Sequence, residues 1–304
     1  MLKFWKEKER YKGKTEDCLT AIITTKGCSW RNCYMCGYWS ESRDLKEEVL
    51  KGQIDQVFEK IGEIRILKLF TSGSFLDERE IPVGIREYFL DRCREIGIKK
   101  LIIESRPEFI EKEKIKDFKG IELEVGIGLE TANDFIRMQC INKGFDFSDF
   151  VRSAKILREE GFRIKCYLLL KPPFLSEKEA IADLIDSADK VREYVDVISL
   201  NLMNIQRDTL VERLWERGLY RPPWLWSAVE VLKSISTEII CDPVAGGKIR
   251  GPHNCGRCDK DVVSAIKLFS LKQDRSLLDL DCECKKIWFK ALELEDYSRI
   301  PLFP

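Results

Sequence analysis

Gly27-Cys28-Ser29-Trp30-Arg31-Asn32-Cys33-Tyr34-Met35-Cys36-Gly37-Tyr38 sets three cysteines at gaps of four and then two residues, directly after a β-rich run at residues 18–25. Thiolates are soft ligands that select iron–sulfur clusters, zinc or copper(I). Three local sulfurs leave a tetrahedral zinc site one ligand short. Two readings follow. A distant cysteine such as Cys18 completes a zinc site, or three thiolates hold a four-iron cluster whose fourth iron stays open for chemistry.

The segments around this loop alternate strand and helix. Strand-like runs occupy residues 18–25, 64–70, 99–104, 121–129, 163–170 and 195–201. Between them, helical spacing predicts helices over residues 45–61, 82–96, 107–118 and 147–160, and one starting after Ser176, which forms a capping box with Glu179. Parallel strands need such crossovers, so the order predicts an α/β fold: a partial (β/α)6 TIM-type barrel. In barrels of this kind active residues gather where strands end and loops begin, and the cysteine loop lies at that place. Past residue 201 the character changes, with Trp215, Trp224 and Trp226 expected in the core. From Cys241 the chain becomes rich in Cys, Gly and Pro, and a helix is expected near residues 262–273. The expected division is a barrel over residues 1–240 and a small cysteine-rich metal-binding module over residues 241–304.

Totals bound the partners. The 304 residues are 44% hydrophobic, enough for a substantial core, and Lys+Arg and Asp+Glu balance at 52 each. A chain without net charge offers no general field to a polyanion, so a nucleic-acid substrate is expected to be held with help from a partner. The charged opening MLKFWKEKERYKGK does not read as a secretory signal, and no apolar run approaches a membrane span. A cytoplasmic protein is expected, its twelve cysteines serving metal sites and cores rather than disulfides. Cys255, Cys258, Cys282 and Cys284 supply four thiolates, the number a structural zinc ion takes. Cys241 in place of Cys282, His253 as ligand or neighbour, and a second iron–sulfur cluster are alternatives. Cys18, Cys93, Cys140 and Cys166 read as small buried apolar residues.

A three-cysteine loop after the first strand of such a chain resembles the radical S-adenosylmethionine superfamily, whose usual gaps are three and two residues. The second strand ends in Thr71-Ser72-Gly73-Ser74-Phe75, the third in Glu104-Ser105-Arg106-Pro107 and the fourth in Gly126-Ile127-Gly128-Leu129-Glu130, with Lys143 thirteen residues on. The resemblance implies that Cys28, Cys33 and Cys36 hold a 4Fe-4S cluster. It also implies that Ser72, Gly73, Ser74, Glu104, Glu130 and Lys143 contact S-adenosylmethionine, with Lys143 where relatives carry an arginine that pairs the cofactor carboxylate. Residues 201–226 and the stretches around Cys241 and Gly251–Asp259 look like the archaeosine-biosynthesis branch of that superfamily. That likeness implies a lyase acting on tRNA. A partner lysine transferase attaches lysine to 7-cyano-7-deazaguanine in the D-loop, a one-electron reductant supplies electrons, and the lysine C–N bond is cleaved to leave a formamidine. Asn201, Asn204, Gln206 and Arg207, after the sixth strand, are the candidate substrate contacts. Another tRNA modification by the same chemistry, and a non-enzymatic zinc-binding RNA module, are the competing expectations.

Overall fold

The computed structural model describes residues 2–297, with the side chains of residues 296 and 297 left aside. Eight strands form one sheet in sequence order, curled into a half-barrel. β1 (Lys3–Tyr11) and β2 (Lys14–Ile22) are an antiparallel hairpin; from β2 onward every neighbouring pair is parallel. β3 (Ile66–Phe70), β4 (Lys100–Glu104), β5 (Glu122–Glu130), β6 (Arg163–Leu170), β7 (Val197–Leu202) and β8 (Ile239–Cys241) complete the sheet. The crossovers carry α1 (Glu47–Ile61), α2 (Val83–Ile96), a short α3 (Lys112–Ile115), α4 (Phe147–Glu159), α5 (Glu177–Val191), α6 (Leu210–Glu216) and α7 (Leu225–Ser234). After β8 come α8 (Asp259–Lys272) and α9 (Lys285–Tyr297).

The six expected strands are β2 to β7. β1 and β8 lie outside the strands that the sequence predicts. β1 is an outer strand whose side chains are mostly exposed and charged, so it lacks the apolar alternation that marks a half-buried strand. Lys12 and Gly13 turn the hairpin with positive φ of 49° and 77°, as a two-residue turn with right-handed twist requires. The helix expected over residues 107–118 is instead three short pieces, at Pro107–Phe109, Lys112–Ile115 and Lys116–Phe118. Extended backbone at Ile110 and Glu111 breaks the run, and this lets Ile110, Ile115 and Phe118 all reach the core. The capping box at Ser176 and Glu179 forms as the sequence predicts.

One apolar core runs from Leu19 on β2 to Phe269 on α8 and Trp288 on α9. The boundary expected between residues 240 and 241 falls inside β8. Trp226 is buried in this core, while Trp224 and Trp215 pack at its edge and against a smaller core. Charged side chains also lie within the half-barrel. Glu9, Lys68, Lys100, Glu124 and Lys165, from five strands, are joined by N–O distances of 2.7–3.2 Å. Among the described residues no helix is long and apolar enough to cross a membrane.

Candidate functional site

The cysteine loop leaves β2 at the C-terminal edge of the sheet and is held by the ends of three other strands. Within it, Gly27 takes a φ of 73°, Arg31 Nε donates to the Cys28 carbonyl (2.8 Å), and Cys36 N–H donates to the Cys33 carbonyl (3.2 Å). From the segment after β5, the Ile141 carbonyl accepts from Tyr34 N–H (2.9 Å) and the Asn142 carbonyl from Trp30 Nε1 (2.7 Å). From the segment after β4, Arg106 stacks over the Trp30 ring at 5.5 Å and donates to the Lys143 carbonyl (3.0 Å). From the segment after β7, Gln206 Oε1 accepts from Gly37 N–H (2.6 Å). Met35 points under the loop into the smaller core with Ile141, Leu169, Met203, Ile205 and Val211. All three cysteines are free and half-buried.

Their three sulfur atoms do not converge within 4.8 Å of one another, as ligands of one ion must. Cys18 is buried on β2 with its thiol directed to the Leu19 carbonyl. A zinc site completed by Cys18 is therefore not formed. Three separated thiolates suit a cluster that gives each its own iron. Burial pushes the Cys33 thiol up to about 11, against the pull of the Lys143 ammonium.

The turn after β3 abuts this loop. A Cβ on Gly73 would fall 2.5 Å from Cys28 Cα, so only glycine allows the approach. Ser74 is buried: its N–H donates to Glu80 Oε1 (2.6 Å), and its hydroxyl accepts from Arg106 N–H (3.0 Å). Glu80, which the sequence reading missed, also accepts from the Thr25 hydroxyl (2.7 Å) and so ties the turn to the start of the cysteine loop. Burial raises its carboxyl to about 6, even against those hydrogen bonds.

Glu130 ends β5 at a bulge with a φ of 70°, and its carboxylate meets Lys143 Nζ at 2.7 Å. Gly128 makes room, since a Cβ there would fall 2.9 Å from both groups. Burial would lower the Lys143 pKa, but Glu130 outweighs it and the ammonium is held above its ordinary value. Glu104, half-buried at the end of β4, is raised by burial and hydrogen-bonded by Tyr167 of β6. Gly126 of β5 leaves space for that ring, 2.7 Å from where its Cβ would be. Tyr167 was not singled out from sequence either; its partner lies 63 positions away, and only the parallel pairing of β4, β5 and β6 unites them.

Of the four candidate substrate residues, Gln206 is engaged with the cysteine loop and Arg207 is exposed. Asn201 and Asn204 are half-buried, and among the described residues their amides carry no hydrogen bond.

A second sulfur site lies outside the half-barrel. Cys255, Cys258, Cys282 and Cys284 bring all four sulfurs within 4.8 Å of one another. Cys241 is buried in β8 and His253 Nδ1 engages the Gly251 carbonyl at 2.7 Å, so neither joins the set. Cys93, Cys140 and Cys166 are buried.

Residues 22–186 match the family model described as the Radical SAM superfamily. The chain is 40% identical to archaeosine synthase subunit beta of Methanosarcina acetivorans, over 97% of this chain and 90% of that protein. It is also 40% identical to the subunit of the same name from Thermococcus kodakarensis, over 95% and 96%. A solved structure of a queuine lyase from Clostridium spiroforme, bound to SAM and queuine, shares the fold at a TM-score of 0.51 and 23% identity, over 70% of this chain and 89% of that one. With a half-barrel that fixes three separated thiols at its mouth, and relatives this similar along nearly all their length, the chain belongs to the radical S-adenosylmethionine superfamily and, within it, to the archaeosine synthase subunit beta family.

Proposed function

We propose that this chain is the lyase subunit of a two-part archaeosine synthase, cleaving the C–N bond of a lysine adduct of 7-cyano-7-deazaguanine in the tRNA D-loop. A partner transferase makes the adduct, and a one-electron reductant starts each turnover. The observation that carries the reading is the juxtaposition at the barrel mouth. Three thiols sit on a loop fixed from three strand ends, Gly73 lies against Cys28, and the Lys143 ammonium lies beside Cys33.

In this reading Cys28, Cys33 and Cys36 hold the 4Fe-4S cluster. When bound, the cluster and S-adenosylmethionine supply hydrogen-atom abstraction from the lysine side chain, the event that sets up C–N scission. Lys143 offers a single point charge to the cofactor carboxylate, exchanging Glu130 for it as partner. The Ser72–Gly73–Ser74 backbone takes the amino group, and Glu104, turned by Tyr167, lies on the nucleoside side. Asn201 and Asn204, whose amides carry no hydrogen bond among the described residues, supply donors and acceptors for the lysine moiety. Gln206 acts through the loop rather than on the substrate. The cofactor set closes with a structural zinc ion at Cys255, Cys258, Cys282 and Cys284.

The test is anaerobic turnover of lysine-adduct tRNA by the purified chain with reductant and S-adenosylmethionine. The expected result is about four irons per chain, formation of 5′-deoxyadenosine and archaeosine in the tRNA, all lost in Cys33→Ala. An iron-loaded chain that makes 5′-deoxyadenosine yet leaves the adduct intact would overturn the lyase assignment.

A further inference from the structure

The four C-terminal sulfurs have the spacing of ligands on a single ion. Cys255 and Cys258 are 3.8 Å apart, Cys255 and Cys282 3.9 Å, and Cys258 and Cys284 3.6 Å. With Zn–S bonds of about 2.3 Å, a tetrahedral site has edges of about 3.8 Å. A four-iron cluster places each thiolate on a separate iron and spreads them more widely, so a second cluster does not fit.

The surroundings suit the net double negative charge of zinc with four thiolates. Cys258 is the N-cap of α8 and Cys284 directly precedes α9, so both helices direct their positive ends at the site. Trp226 Nε1 donates to Cys284 Sγ (3.2 Å) and Asn254 Nδ2 to Cys258 Sγ (3.5 Å). The backbone N–H groups of Arg257 and Cys258 are directed at Cys255, and so is the Arg257 side chain. Such outer contacts orient ligands and spread their charge.

From this knot α9 runs back to the barrel. Glu295 accepts from Glu177 N–H (2.8 Å) and pairs with Lys171 Nζ (3.1 Å). Trp288 Nε1 donates to the Ser227 hydroxyl (2.9 Å), which donates to Glu177 Oε1 (2.6 Å), while Glu177 Oε2 meets Lys171 Nζ at 2.7 Å. Lys171 follows the last residue of β6 with a φ of 63°, and its carbonyl accepts from the Tyr220 hydroxyl (2.6 Å). Tyr220 packs on the small core that holds Met35, between Cys33 and Cys36.

We propose that Cys255, Cys258, Cys282 and Cys284 hold one zinc ion which, through α9, clamps the segment after β6 that supports the floor of the cluster loop. The clamp rests on the zinc reading and is independent of the lyase assignment. A metal that only stapled α8 to α9 would leave residues 171–177 indifferent to its loss.

The experiment is metal analysis and amide hydrogen exchange on the full, iron-loaded chain, with Cys255→Ser and Glu295→Ala as variants. One zinc per wild-type chain is expected. Cys255→Ser loses it, and exchange over residues 171–177 and 33–37 rises by about tenfold, while α2 is unchanged. Glu295→Ala keeps its zinc and shows the rise over residues 171–177. Iron or no metal at the four sulfurs would sink the zinc reading itself. Loss of zinc with exchange over residues 171–177 unchanged would overturn the clamp and leave the zinc reading standing. Should Cys255→Ser lose protection throughout, Glu295→Ala decides: unchanged exchange there also overturns the clamp.

Discussion

A methyl group at position 73 would fall 2.0 Å from Glu80 Oε1 and 2.5 Å from Cys28 Cα, with backbone on the Cys28 side unable to give way cheaply. Gly73→Ala is therefore expected to push Cys28 outward and to lose most of its iron on anaerobic desalting. Gly84→Ala, in α2 with nothing within 4 Å, keeps its iron. Iron content of the two variants side by side is the check. Glu80 gives a pH signature. Its folded-state value of about 6 lies above the ordinary 4.5, so the folded chain binds the extra proton between those values. Stability then falls as pH rises through that window, by about 2 kcal/mol in total. Denaturant unfolding of the iron-free chain should show this slope in wild type and lack it in Glu80→Gln; equal slopes would refute the assignment. Sequence singles out the three cysteines by their spacing, and Gly73, Glu130 and Lys143 by their resemblance to a known family's strand ends. Glu80 and Tyr167 were not legible, because an acid in Asp77-Glu78-Arg79-Glu80 and a tyrosine in an apolar strand acquire partners only when the sheet closes.

Inside the half-barrel, adjacent strands present a row of charges that a strand reading based on apolar runs passes over. Glu124 of β5 is 1% exposed, and its oxygens lie 2.7 Å from Lys165 Nζ and 3.0 Å from Lys100 Nζ. Burial alone would raise its carboxyl, but the two ammonium groups outweigh it and hold it far below the usual carboxylate range. That contribution is complete above the ordinary value of 4.5 and is lost progressively as pH falls below it. Glu124→Gln leaves two buried lysines without their shared anion and is expected to cost about 3–5 kcal/mol in unfolding free energy. A loss under about 1 kcal/mol, the worth of an exposed pair, would show that the row is not desolvated as described. The same row explains why β1 escaped notice. Glu9 on this otherwise charged outer strand pairs with Lys68 and Lys100, so an inward position is carried by an acid where pattern reading looks for an apolar residue. The β2 to β7 strands were legible because their inward and outward faces are both covered, giving near-continuous apolar runs such as Ile-Leu-Lys-Leu-Phe and Lys-Leu-Ile-Ile-Glu.

At the scale of the whole molecule, the equality of 52 basic and 52 acidic residues bears on how a tRNA is held. Affinity for a polyanion comes largely from phosphate neutralisation and counterion release, and each neutralised phosphate adds about 0.9 to the slope of log affinity against log salt. Part of the positive charge here is already spent within the chain. Lys68, Lys100, Lys143, Lys165 and Lys171 are each paired with a carboxylate and largely buried. The chain alone is thus expected to bind tRNA weakly, with a salt slope shallower than about −2. A mixture with the proposed partner subunit should bind tightly, with a slope set by that partner. Titrating labelled tRNA with each protein and with both, at several salt concentrations, separates the cases. A lone chain that binds with a slope steeper than about −5 would mean that it carries its own phosphate-binding face. In that event the division of labour between a gripping subunit and a reacting subunit would have to be abandoned, even with the radical site intact.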